Sequence, residues 1–303
     1  MASLWKLGGL SPKKLATRVW SEIQEDEVFG RAAQLSYYFL LALFPLLIFL
    51  TSVIGLVIGS ETDLSQSLFN YLARVVPPAA FQLIDSTMRE VSAASSGSKV
   101  SLGILAALWA ASNGMGAITE ALNVAYDVKE SRSWWKQRLV AVSLTMVLSL
   151  LIISALVMVL AGDRIADSTS VNYALGSFFL VVWKIVQWPI VLAAMLFAFA
   201  LIYYFGPDLR EQKWIWITPG AVVGVVLWLL VSFGFRIYLH YFDSYSNTYG
   251  SLGAVIILML WFYLTGVAVL IGGELNAEIE NAAAGAGAAD AKEKGESGLR
   301  KRP

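Results

Sequence analysis

The chain has 303 residues, 57% of them hydrophobic and 15% charged, against roughly 25% charged in soluble domains. Its 22 basic side chains balance 22 acidic ones, so no net field favours nucleic acid or an acidic substrate as a partner. The lack of cysteine excludes disulfides, thiolate metal sites and cysteine nucleophiles, and a single histidine, His240, argues against an ordinary zinc or di-metal centre.

Residues 1–31 precede the first long apolar run. A cleaved signal peptide would place a shorter apolar segment earlier, so the first span is expected to stay in the mature protein. Within this segment Ser11-Pro12 is a helix-start signal, a cap followed by a first-turn proline. Leu15, Val19 and Ile23 then fall on one face, opposite Lys13, Lys14 and Arg18. This amphipathic helix is expected to rest on the anionic inner leaflet.

A spanning helix needs about 20 mostly apolar residues. Six stretches qualify, at about 32–60, 100–125, 139–162, 185–207, 214–238 and 249–273. The first contains 29 residues without a charge, Ala32 to Ser60. None alternates as a barrel strand does, and each is about twice a strand's length. The chain is therefore predicted to be an all-α polytopic membrane protein, with its six-helix membrane domain over 32–281. Between spans one and two, an external amphipathic segment is expected at 64–94, within which Pro77-Pro78 opens a stretch with Phe81, Ile84, Met88 and Val91 at helical spacing. Val171 to Phe205 is too long for one span, and Lys184 divides it. Val171–Trp183 is thus expected along the outer interface before Trp188-Pro189 turns inward. Residues 282–303, rich in Ala, Gly and charge, have almost nothing apolar to bury and are expected to form a disordered cytoplasmic tail.

Lys and Arg are retained on the cytoplasmic side during insertion. Sixteen lie in the N-terminal segment, the 126–138 and 208–213 loops and the tail, against six on the other side. Both termini are therefore expected in the cytoplasm, which an even number of spans fits.

Polar side chains inside the hydrocarbon are costly and each needs a reason. On span two, Asn113, Gly116, Glu120, Asn123 and Asp127 recur every three or four residues and share one face, with Tyr126 beside them. Gly114 and Gly116 would let a neighbouring helix approach while Asn113 bonds across the interface; alternatively the face lines a polar substrate path. Spans two and six run in the same direction, so Glu120 and Asn123 are expected near Glu274 and Asn276, as one polar cluster at an inner mouth. The outer turn carries His240, Asp243 and Tyr249; its tyrosines fit an interfacial belt. Pro45, and Pro219-Gly220 at the start of span five, are expected to bend or loosen their helices.

Taken together, Ala33–Pro45, Ala121–Tyr126, Tyr203–Asp208, Trp216–Ala221, Tyr249–Ala254 and Gly272–Ala277 occur in an order that resembles the YihY/BrkB membrane proteins, from about Gly30 to Glu280. The resemblance implies a bacterial inner-membrane protein. Members have been labelled ribonuclease BN, and others linked to serum resistance or lipid export. Where the family often has an arginine after the serine of span two, this chain has Asn113, which puts a cation's role at that position in doubt.

The leading functional expectation is a transporter of a lipid or other amphiphile, whose path would use Asn113, Glu120, Asn123, Tyr126, Glu274, Asn276 and Tyr249. The competing class is a scaffold or accessory subunit, whose polar residues lock helices together. A channel is disfavoured because no ring of like charges is visible. Catalysis ranks last: no metal-ligand cluster or activated nucleophile stands out, and no cofactor is expected. Membrane lipids are the expected partners and nucleic acid is not. Glycines in spans two and six would permit a homo-oligomer.

Overall fold

In the computed structural model, residues 4–58, 97–172, 176–209, 217–241 and 251–285 are described. A 3-10 turn, Leu4–Gly9, leads into α1 (Pro12–Glu25), followed by α2 (Val28–Ile58), α3 (Gly97–Ala125), α4 (Trp134–Asn172), α5 (Gly176–Phe205), α6 (Pro219–Tyr241) and α7 (Ser251–Gly285). The predicted segment 64–94 and Tyr249 lie outside the described residues.

Six of these helices are long. Among the described residues five have a stretch long and apolar enough to cross a membrane: Val28–Leu50, Trp134–Met158, Ile185–Phe205, Pro219–Tyr238 and Val255–Gly285. The protein is thus an all-α polytopic membrane protein. Where a second span was expected the chain forms α3, whose 29 residues reach roughly 43 Å but which is not among those five stretches. Ser112, Asn113, Thr119, Glu120 and Asn123 interrupt its apolar run. Along the spans large apolar side chains face outward, Leu139 at 65% exposure and Phe233 at 64%, as lipid contact requires.

Three boundaries differ from expectation. Position 184 lies inside α5, which runs unbroken from Gly176 through Pro189 to Phe205, so Val171–Trp183 is not a separate surface segment: Gly176–Trp183 forms the first part of α5. One lysine does not end a helix whose flanks are strongly apolar. α7 continues to Gly285, past the residue at which the tail was expected to begin, because alanine is the best helix former and Ala283 is buried. Pro219 breaks nothing: it is the first residue of α6, where its missing N–H is not needed.

The chain divides into two compact units. One comprises Ala42–Ala111 and Thr145–Met195 and carries both interior prolines, Pro45 of α2 and Pro189 of α5. The other comprises Met1–Leu41, Ser112–Leu144 and Leu196–Pro303 and contains every polar feature discussed below.

In this second unit small residues let helices approach closely, as membrane packing favours. Thr218 caps α6, its Oγ1 accepting from Ala221 N at 3.1 Å. The next turn presses on α7, and a Cβ at Gly220 would meet Gly272 O and lie 2.5 Å from Asn276 Cγ. The Tyr203 hydroxyl of α5 enters the same contact and donates to Val269 O of α7 at 2.7 Å. A Cβ at Gly224 would stand 2.8 Å from that hydroxyl, and one at Gly272 would collide with it. One phenol therefore ties three helices together.

The N-terminal segment belongs to this unit too. Ser11 Oγ accepts from Lys14 N and caps α1. Leu15, Val19 and Ile23 are buried, and both α1 and the preceding 3-10 turn pack on α7. The apolar face expected to lie on a lipid leaflet is therefore covered by protein. Gly8, at φ +60°, sits so close to α7 that a Cβ would come within 2.6 Å of Ile279 O. Arg18 reaches the buried Glu278 carboxylate at 3.8 Å.

Candidate functional site

The polar face of α3 stops earlier than its spacing suggests. The helix closes at Ala125 with Asp127 N bonded to Val124 O at 2.7 Å and Val128 N to Asn123 O at 2.8 Å. This is a Schellman ending, with Asp127 at φ +51° in the left-handed position. Asp127 therefore leaves the face on which it was expected. Tyr126 turns away with it, packing with Ala125, Val128, Ala277 and Leu209.

The turn that follows is locked to the end of α5 by a charged network. Arg132 grips Glu130 with two bonds, Nε to Oε1 at 2.8 Å and Nη2 to Oε2 at 2.7 Å. The same guanidinium donates to the terminal carbonyls of α5, Phe205 O at 3.3 Å and Gly206 O at 2.9 Å. Asp208 accepts from the backbone N of Ser131 at 2.7 Å and from its hydroxyl. Asn123 joins the two halves, donating from Nδ2 to Glu130 at 2.8 Å and accepting from Asp208 N at 2.7 Å. Cations and donors are placed where a helix C-terminus leaves carbonyls without partners.

Burial pushes the Glu130 carboxyl up, but hydrogen bonds from Arg132 and Asn123 and the guanidinium charge outweigh it and hold the group below the ordinary carboxylate value. A carboxyl lowered on folding stabilises the fold above its ordinary value of 4.5, and that contribution is lost as pH falls through the lowered value. Thermal stability in detergent is therefore expected to decline as the buffer is acidified below about pH 4.5. In Glu130→Gln, which cannot titrate, the decline over the same interval is expected to be shallower.

Beside this network a cleft of about 400 Å³ opens between α3 and the start of α4. Gly116, Thr119, Glu120 and Asn123 of α3 form one wall. Glu130 and, from α4, Trp134, Gln137 and Arg138 form the other. Arg138 Nη1 donates to Asn113 Oδ1 at 2.7 Å, so a guanidinium from α4 stands on the amide where the resemblance left a cation in doubt. Glu120 is exposed on the wall.

Of the residues expected to share one cluster, Glu120 and Asn123 line the cleft and Asn113 adjoins it through Arg138. Asn276 does not join them. Its Oδ1 accepts from Gly220 N at 2.9 Å and its Nδ2 donates to Thr218 Oγ1 at 3.0 Å, closing the α6–α7 contact. Glu274 is buried on α7, at 1% exposure, and is not part of the cleft lining. Arg132 counted only as loop charge and Asp208 only as the end of a motif, and Glu130 was not singled out. Their pairing joins residues more than 70 positions apart, which no local spacing reveals.

The sequence pattern of the virulence factor BrkB family matches residues 19–296. The chain belongs to the BrkB family. Among its relatives is YfkH of Bacillus subtilis, named a ribonuclease-like protein, 37% identical over 82% of this chain and 88% of YfkH. The UPF0761 membrane protein Smlt0865 of Stenotrophomonas maltophilia is 28% identical over 86% of this chain, which covers 59% of Smlt0865. IL2447 of Idiomarina loihiensis, also a UPF0761 membrane protein, is 28% identical over 73% of each chain. No solved structure matches significantly. The BrkB match takes in every element of the cleft and of the network beneath it.

Proposed function

We propose that this BrkB-family chain is a transport protein of the bacterial inner membrane, with both termini in the cytoplasm, that moves a lipid or other amphiphile across the bilayer. The observation that supports this is the α3–α4 cleft. Charged and amide groups line it, and it lies at the first turns of the Trp134–Met158 span, the depth at which interfacial tryptophans and headgroups sit. Trp134, Trp135 and Leu139 are exposed beside it at 57%, 70% and 65%. A headgroup held in the cleft leaves its tails against these apolar side chains. The family and relatives' names supply membrane residence, and the ribonuclease-like name of YfkH finds no group of three metal-ligating side chains among the described residues here.

The test is lipid movement in vesicles. Reconstituted protein is expected to carry fluorescent lipid between leaflets faster than protein-free vesicles do. Glu120→Ala should slow it on the order of tenfold, the effect of losing one charged contact. Equal rates in wild type, Glu120→Ala and empty vesicles would reject the proposal for the lipids tried. A scaffold is the second reading, favoured by the closure of Asn276 against Gly220 and Thr218, and it expects that null result.

A further inference from the structure

We infer that α1 docks on anionic phospholipid headgroups, in the leaflet on the side of the N-terminus, through the face it turns away from α7. Leu15, Val19 and Ile23 are buried and α1 packs on α7, so the apolar stripe is not available to lipid and any further partner must meet the rest of the helix. Lys13, Thr17, Trp20 and Gln24 recur every three or four residues and share one flank. All four are exposed, and so is Lys14 beside them. Arg18, Glu22 and Glu25 fall on the other flank, the side from which Arg18 reaches Glu278. The acidic side chains of α1 are thereby kept apart from its lysine–tryptophan face.

Two observations make a lipid surface the occupant. The first is depth. α7 carries no charge from Ser251 to Gly273, and its first is Glu274. Arg18 meets Glu278, and Gly8 lies against Ile279 O, roughly 6–8 Å further along the helix axis. That distance matches the headgroup layer outside the hydrocarbon, roughly 5–8 Å on each side. The chain then passes from Glu25, the end of α1, almost directly into the Val28–Leu50 span.

The second observation is chemistry. Trp20 is 60% exposed and Trp5, in the preceding turn, 58%. Indoles settle at the headgroup level, where ring and N–H both find partners, and lysines are drawn to an anionic lipid surface. The same end of the protein displays two more. Ala277 of α7 packs with Ala125, Tyr126 and Val128, just ahead of α4, whose Trp134 and Trp135 are exposed. An acidic protein surface would satisfy the lysines alone and leave the indoles of α1 in water.

The chain has no cysteine, so T17C places a single nitroxide label on the proposed face. The full-length protein is held in nanodiscs of phosphatidylcholine, with or without half of it replaced by phosphatidylglycerol. Accessibility of the label to a water-soluble nickel chelate is read by EPR power saturation. Anionic nanodiscs are expected to shield the label about fivefold more than neutral ones, the worth of one lysine at an anionic surface. In K13Q/K14Q the ratio should fall to about one, and W20S should weaken shielding in both compositions. These side chains are exposed, so melting temperatures should stay within about 2 °C of the parent, which separates lost docking from lost fold. A ratio of one in the parent, a ratio unchanged in K13Q/K14Q, or undiminished shielding in W20S overturns the inference. So does a label open to the chelate in both compositions, which would make the partner a protein with an acidic surface. Docking does not depend on transport: absence of lipid movement between leaflets would leave it standing.

Discussion

Arg132→Ala is expected to lower the stability of the detergent-solubilised protein by about 3 kcal/mol, a fall in melting temperature of roughly 5–10 °C. The substitution removes two bonds to Glu130 and two to the end of α5. It also leaves the Glu130 carboxylate, at 23% side-chain exposure, with Asn123 Nδ2 and the backbone N of residue 132 as its remaining partners. The partial exposure of both ends is why the expected loss stays at the lower end of the range for buried pairs. Arg132→Lys should recover little, because an ammonium cannot span both carboxylate oxygens and two carbonyls at once. A melting temperature within about 2 °C of wild type for Arg132→Ala would show that the turn is held without the guanidinium.

Gly220→Ala carries the other large effect. The new methyl would press on Gly272 O and stand 2.5 Å from Asn276 Cγ, and neither neighbour can easily give. Gly272 O is backbone, and Asn276 is held by bonds to Gly220 N and Thr218. Overpacking costs typically 1–3 kcal/mol, and a backbone obstacle puts this case at about 3 kcal/mol or beyond. Gly234→Ala on the same helix is the control, since nothing lies within 4 Å of a Cβ there. It is expected to be neutral or to stabilise by up to about 1 kcal/mol, as glycine is a poor helix residue. Folded yield and melting temperature of the two variants, side by side, check the contrast. Matching values would mean that α6 and α7 can part without loss.

Legibility followed the range of the interactions. The uncharged run Ala32–Ser60 and its counterparts announce spanning helices, because hydropathy is a local property. The Ser11-Pro12 start and the Leu15, Val19, Ile23 stripe are equally local, and α1 begins at Pro12 with those three buried. What covers the stripe was not legible, since a lipid leaflet and the side of α7 ask for the same pattern. The face of Asn113, Gly116, Glu120 and Asn123 was readable from 3.6-residue spacing; the departure of Asp127 was not, because an aspartate in the left-handed position gives a weaker stop signal than glycine. Joining Glu120 with Glu274 and Asn276 used only their expected depth along parallel helices. Depth does not decide lateral neighbours: Asn276 faces the start of α6 and Glu120 faces α4. The grip of Arg132 on Glu130, Gly206 and Phe205 had no local signature beyond a charged loop.

The seating of α1 on α7 has a consequence for biogenesis. The ribosome makes these two helices far apart in time, so Leu15, Val19 and Ile23 wait through the insertion of the intervening helices before their partner emerges. Until then the stripe lacks its protein cover, and a chain interrupted before Ser251 never gains it. An unfinished product would thus keep a greasy, basic helix without its partner, and completion of synthesis is what seats it.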